Sequence, residues 1–240
     1  MATLTDRERD KRCAAERALE YVTDGMTLGL GTGSTTSIFI EMLGGKVRRG
    51  LRIRAVATSE RTRKLASEKG INMISFGDVD SLDLTVDGAD EIDPQLNLIK
   101  GAGGALLHEK IVAAASQKLL IIADAEKEVD LLGAGKVALP VEVLPFGWQL
   151  AERWLKKIGA APSLRRSSAG HPYLTDEENL ILDCRFSSLA NPAEVGQKIH
   201  TVPGVVGHGL FIGMADIAII GDMGTVRVRQ RPADSPRIHF

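Results

Sequence analysis

The residues best equipped for chemistry lie in one stretch, TVDGADEIDPQLNLIKGAGGALLHEK, from Thr85 to Lys110. Four carboxylates fall within seven positions, at Asp87, Asp90, Glu91 and Asp93, and Lys100, a run of glycines and Glu109–Lys110 follow. A calcium loop is the first chemistry to test. Asp83, Thr85, Asp87 and Gly88 would occupy positions 1, 3, 5 and 6 of an EF-hand loop, but position 12, which needs a bidentate glutamate, is Pro94. Zinc is disfavoured as well, because no His or Cys accompanies the acids. Glu91 and Asp93 read as solvated turn carboxylates. Asp87 instead ends an apolar strand, with Asp90 three residues further on, and ligands of open α/β sheets collect at such strand ends. Taken alone, Glu109 is an ordinary exposed helical acid beside Lys110.

A second stretch, GLGTGSTT from Gly29 to Thr36, lies between an apolar run and a helical pattern. It is not a dinucleotide fingerprint, since Ser34 stands where the third glycine belongs, and no lysine follows the glycines as a Walker loop requires. Glycines that admit a close backbone approach, a helix N-terminus with free N–H groups and the hydroxyls of Ser34, Thr35 and Thr36 suit a monophosphate. The alternative is a tight turn with a hydroxyl N-cap. Together the two stretches assemble the parts for proton transfer beside a carbonyl. A glutamate can abstract the proton, and a lysine with the backbone donors of the GAGG segment, Gly101 and Gly103 included, can hold the oxyanion.

The elements that must position these groups alternate. Residues 6–22 read as a helix, MTLGLG as a buried strand, STTSIFIEML as a helix begun by a hydroxyl cap, LRIRAVAT as a strand and SERTRKLASEKG as a helix stopped by Gly70. LDLTVDG, ALLHEKIVAAAS and QKLLIIAD continue strand, helix, strand, which predicts a mostly parallel sheet with helices on both faces. After Gly133 the elements are smaller. VALPVEVLPFGW, a helix with Trp148 and Trp154 as expected core residues, LILDCRF and NPAEVGQKIH predict an α+β insert. VVGHGLFIGMADIAIIGD is expected to rejoin the first sheet. The expected limits are 1–130 with 207–240 for the sheet domain and 131–206 for the small one.

Composition excludes several classes. Of 240 residues, 44% are hydrophobic and 25% charged, with a formal net charge of -1, so nucleic acid is not the expected partner. Arg227, Arg229 and Arg231 alternate with Val228 and Gln230, as on the solvated face of an edge strand. Cys13 and Cys184 lack metal-ligand spacing and read as free thiols. MATLTDRERDKR has no apolar leader core, and no apolar run approaches the ~20 residues of a membrane helix. The expectation is a soluble, cytoplasmic protein that contacts no membrane.

The chain resembles type A ribose-5-phosphate isomerases. GLGTGSTT, DGADEID, KGAGGALLHEK, LPVEVLPFGW, LTDEENLILD and PGVVGHGLF occur in that order and span nearly its whole length. The resemblance implies a Rossmann-like three-layer α/β/α domain plus a smaller α+β (ferredoxin-like) domain. It implies interconversion of ribose 5-phosphate and ribulose 5-phosphate in the pentose phosphate pathway, with no metal or other cofactor. By position, Glu109 matches the base that carries a proton between C2 and C1, and Asp87 the residue linked to ring opening. Asp90 and Lys100 match the pair around the enediolate oxygens. Thr32, Gly33, Ser34 and Thr35 match the substrate loop, and Lys127 and Lys11 further substrate-binding lysines, Lys11 in a segment that diverges. A sugar phosphate is the implied partner, and a homodimer or homotetramer the implied assembly. His108 stands where many members carry arginine and is expected to face solvent. The segment from Arg165 to Asp176 resembles the family only at its end. The tail RQRPADSPRIHF is expected to be mobile and away from the site. The nearest rival, an amino-sugar phosphate isomerase or deaminase on the same fold, is set apart by the full KGAGGALLHEK block.

Overall fold

The computed structural model describes residues 5–134, 137–187 and 189–232. In chain order its first elements are α1 (Asp6–Ala18), β1 (Thr27–Leu30), α2 (Ser34–Arg48), β2 (Arg54–Ala57), α3 (Glu60–Glu68), β3 (Asn72–Met73) and β4 (Leu84–Asp87). Next come β5 (Glu91–Ile92), β6 (Leu98–Ile99), α4 (Leu106–Ala114), β7 (Leu119–Asp124), β8 (Leu139–Val143), α5 (Trp148–Lys157) and β9 (Ala161–Leu164). The last are β10 (Leu180–Arg185), α6 (Pro192–His200), β11 (Val205–His208), β12 (Leu210–Phe211), β13 (Ile217–Asp222) and β14 (Thr225–Gln230). Two units emerge, one from the described residues of Met1–Ala89, His108–Lys127 and Gly213–Phe240, the other from those of Asp90–Leu107 and Glu128–Ile212.

The first unit is built on a seven-stranded sheet in the order β14-β13-β7-β4-β1-β2-β3. Every neighbouring pair is parallel except β13–β14. All residues of β1, β4 and β7 are buried, as a parallel sheet covered on both faces requires. On one face Leu28, Leu30, Leu84, Val86, Leu120 and Ile122 pack with Ala14, Ala15 and Ala18 of α1 and Phe39, Ile40 and Leu43 of α2. The intervening positions turn to the other face, where Val56 meets Leu82 and Val112 of α4. The expected three layers are therefore present. A Cβ at Gly29 would stand 2.6 Å from Val112 Cγ1 and 1.9 Å from Thr85 Oγ1, so only glycine lets α4 approach β1 this closely. β14 is the edge strand, as expected, but of the three alternating arginines only Arg227 is exposed; Arg229 and Arg231 are half-buried, and Val228 is 39% exposed.

In the second unit, four antiparallel strands lie in the order β11-β8-β10-β9. With α5 and α6 they form the β-α-β-β-α-β sequence of a ferredoxin-like unit. Val141, Val143, Leu155, Leu182, Cys184 and Ile199 are among its buried core residues. A separate three-stranded sheet, β12-β6-β5, completes it.

Four expectations change. Residues 90–107 belong to the second unit, because β5 and β6 pair with each other and with β12 rather than with the parallel sheet. The segment 205–222 divides among three sheets, and only β13 rejoins the first. α2 starts from Gly33, at φ +144°, with no side-chain cap. Trp148 is half-buried against the second core, whereas Trp154 is 43% exposed beneath the Lys157 ammonium. Among the described residues no helix is long and apolar enough to cross a membrane. Residues 233–240 of the tail lie outside the described residues.

Candidate active site

In the first unit the parallel strands deliver side chains at their carboxyl ends. Gly31 follows β1, Thr58 and Ser59 follow β2, Asp87 ends β4, and Lys127 closes a short 3-10 turn (Ala125–Lys127) after β7. This edge of an open α/β sheet is where ligands bind. Asp87 is fully buried, and its Oδ1 accepts the N–H of Gly88 at 2.7 Å and of Thr32 at 3.2 Å. A Cβ at Gly31 would lie 1.9 Å from that oxygen, so the carboxylate occupies the space glycine leaves.

The loop then enters α2. With no side chain capping it, the helix directs the N–H groups of its first turn and the positive end of its dipole outward. Lys11 Nζ donates to Ser34 Oγ at 2.9 Å, which places a cation on that end. Thr35 is buried, and among the described residues the buried Thr36 hydroxyl has no hydrogen-bond partner. Uncapped N–H groups, a lysine and hydroxyls are the groups that anion binding at a helix N-terminus uses. Thr58, Ser59 and Thr62, which sequence reasoning missed, gather around the Thr32 hydroxyl at 2.8 to 3.0 Å. Their Thr-Ser-x-x-Thr spacing at an α3 N-cap was the available signal.

Glu109 occupies the first turn of α4 and is 4% exposed, which overturns its reading as a surface acid. His108 is half-buried rather than solvent-facing, and lines a cavity of about 350 Å³ with Val56, Phe76 and Ile111.

The second unit holds the remaining residues. Asp90 donates its N–H to the Ile99 carbonyl at 2.8 Å and accepts the Ala102 N–H on Oδ2 at 2.9 Å, tying it to the turn that carries Lys100, Gly101 and Gly103. Lys100 is 2% exposed, and its Nζ stands 5.5 Å from the centre of the Phe211 ring. Gly101 has φ +104° and no room for a Cβ against Leu106. Two residues of the divergent segment hold the turn. Arg165 donates to the Gly101 and Ala102 carbonyls at 2.9 and 3.1 Å while pairing with Asp183, and Tyr173 OH donates to the Gly103 carbonyl at 3.3 Å.

Glu91 and Asp93, expected to be solvated, are buried at 2% and 6% exposure. Glu91 Oε2 accepts the Gly133 N–H at 2.7 Å, and Asp93 accepts the N–H groups of Gln95 and Asn97 and the Asn97 amide. These bonds satisfy backbone donors of the turn. The structure thus joins Lys11 with Ser34, Thr32 with Asp87, and Asp90 with the 100–103 turn. Among the described residues, no group of three or more His, Cys, Asp or Glu side chains is arranged to hold a metal ion.

Comparison with known proteins identifies relatives over most of the chain. The profile of the family described as ribose 5-phosphate isomerase A (phosphoriboisomerase A) matches residues 54–224. The chain is similar to a ribose-5-phosphate isomerase A from Jannaschia, 50% identical over 237 residues, 95% of this chain and 89% of the relative. One from Gloeobacter violaceus is 51% identical over 219 residues, 91% of this chain and 94% of the relative. Among solved structures, a D-ribose-5-phosphate isomerase in complex with phospho-erythronic acid superposes with a TM-score of 0.92 at 40% identity, covering 95% of this chain and 100% of that one. A ribose 5 phosphate isomerase A from Neisseria gonorrhoeae gives 0.87 at 38% identity, covering 96% and 100%.

Proposed function

Because the chain belongs to the ribose 5-phosphate isomerase A family, and as such interconverts ribose 5-phosphate and ribulose 5-phosphate, we propose that it does so through an enediolate with Glu109 as the general base. Asp87 assists opening of the furanose ring. Glu109 takes the proton from C2, and the electron pair left there forms the C1–C2 double bond as the carbonyl π pair moves onto O1. Lys100 and Asp90 hold O1 and O2 while charge develops, O1 gains a proton as O2 loses one, and Glu109 returns its proton to C1. The loop of Thr32, Gly33, Ser34 and Thr35 surrounds the phosphate end, which Lys11 and Lys127 also hold, and Gly101 and Gly103 line the sugar oxygens. The chain acts without a metal, in the cytoplasm, as a homodimer or homotetramer.

The observation that carries this reading is the profile match itself, since Asp87, Asp90, Lys100, Glu109 and Lys127 all fall inside residues 54–224. Burial of Glu109 supports the base assignment, because a carboxylate base is strengthened when water is excluded. The test is conversion of ribose 5-phosphate to the ketose by the purified chain; an inactive, folded preparation would remove the substrate assignment. Glu109→Gln should then lower kcat by about 10²-fold or more and leave KM within a few-fold, because it removes a proton acceptor and not a binding contact. Near-normal turnover would place the base elsewhere.

A further inference from the structure

We propose that Thr32 is a positioning residue that acts through Asp87, and that its side chain makes no contact with substrate. A hydroxyl has one proton to donate and two lone pairs to accept with. Thr32 Oγ1 has three hydroxyl neighbours, Thr58 Oγ1 at 2.8 Å, Ser59 Oγ at 2.8 Å and Thr62 Oγ1 at 3.0 Å. The directions follow from the surroundings. Thr62 donates its proton to the Gly31 carbonyl at 3.0 Å, so Thr32 must be the donor toward Thr62. Thr58 and Ser59 then donate into the two lone pairs of Thr32, Ser59 sharing its proton with Thr62 Oγ1, to which it also donates at 3.1 Å. Every slot of the Thr32 hydroxyl is filled within the protein.

The remaining donor of Thr32 is used too. Its backbone N–H points at Asp87 Oδ1, 3.2 Å away. The cage that fills the side chain also fixes the peptide that carries this N–H, because Thr62 grips the Gly31 carbonyl on the preceding residue. The cage is rigid for local reasons. Thr58, Ser59 and Thr62 are 0%, 9% and 4% exposed, and the Thr62 N–H closes onto Ser59 Oγ as the N-cap bond of α3. An N-cap on α3 is thereby coupled to the orientation of a carboxylate at the end of β4. The α2 N-terminus, by contrast, has no side-chain cap, so the anion-binding work of the loop falls to Gly33, Ser34 and Thr35.

The inference rests on the role given to Asp87 above, and the experiment separates the two. Thr32→Val, Thr32→Ser and Thr62→Val are assayed for kcat and KM with ribose 5-phosphate, for equilibrium affinity toward phospho-erythronic acid, and for thermal unfolding. Thr32→Val should lower kcat by about tenfold or more, the scale of a misplaced catalytic group, with KM and affinity for phospho-erythronic acid changed by less than about twofold. Thr32→Ser should restore most of the rate. Thr62→Val should reproduce the loss, adding Thr32→Val to it should cost little more, and Thr32→Val should add nothing in an Asp87→Asn background. Weakening of phospho-erythronic acid by about tenfold with kcat intact would make Thr32 a direct contact and overturn the proposal. A lower unfolding temperature with kcat and affinity both unchanged would make the cage structural only and overturn it equally. Wild-type turnover, and its loss in Asp87→Asn, test the underlying reading independently of Thr32.

Discussion

At the scale of single residues, the acidic stretch is resolved by what each carboxylate accepts. Asp87, Asp90, Glu91 and Asp93 each accept at least one backbone N–H. Charge-assisted bonds of this kind hold a carboxylate at a fixed angle. Lys110, beside Glu109 on α4, is a different case. Burial pushes its ammonium from 10.5 down to about 7. Between those two values the unfolded chain binds a proton that the folded chain has released, so stability should rise with pH across that window. The rise is at most about 1.4 kcal/mol per pH unit, and less in practice because part of the side chain reaches the surface. Lys110→Met should remove this slope. Denaturant titrations of both proteins at pH 7 and pH 9 measure it, and equal slopes would contradict the assignment. The sequence made Asp87 legible through its place at a strand end. It could not show that Glu91 is buried, because the N–H that satisfies it comes from Gly133, a residue remote in sequence and brought near only by the folded turn.

At the scale of elements, helix and strand identities followed from periodicity, while the ends of elements did not. STTSIFIEML was legible as a helix, but its first turn is left open by Gly33, where a hydroxyl cap would have competed with a ligand for the same N–H groups. The 100–103 turn was legible from its glycines, and its holders were not. Arg165 and Tyr173 reach it from a segment with no recognisable pattern. Arg165→Met should cost about 2 kcal/mol of stability, since it frees two carbonyls and leaves Asp183 without its partner. Adding Asp183→Asn should recover much of that stability, but turnover of ribose 5-phosphate should remain at least about fivefold low because the turn is still unheld. Turnover that returns together with stability in the double variant would show that the turn needs no such support.

At the scale of the whole molecule, the fold class and the two-unit plan were readable from the alternation of elements and its change after Gly133. The limits were not, because β5 and β6 are two-residue strands whose pairing is decided by β12, more than a hundred residues away in sequence. The homodimer or homotetramer proposed above is checked by light scattering, where a mass of two or four times 25.8 kDa is expected and a single-chain mass would refute it.

The position of β13 has a consequence for how the chain is made. β7 is LLIIAD, buried throughout, and it is flanked by β4 on one side and β13 on the other. During synthesis β4 is already present when β7 emerges, but β13 begins only at Ile217, after the entire ferredoxin-like segment has been translated. At ~5–20 residues per second, the gap between Asp124 and Ile217 lasts about 5–20 s. For that interval the most apolar strand of the sheet has an unpaired edge, the kind of template on which nascent chains join one another. The last strands of this protein therefore do more than complete a sheet; they end a period in which the newborn chain is sticky.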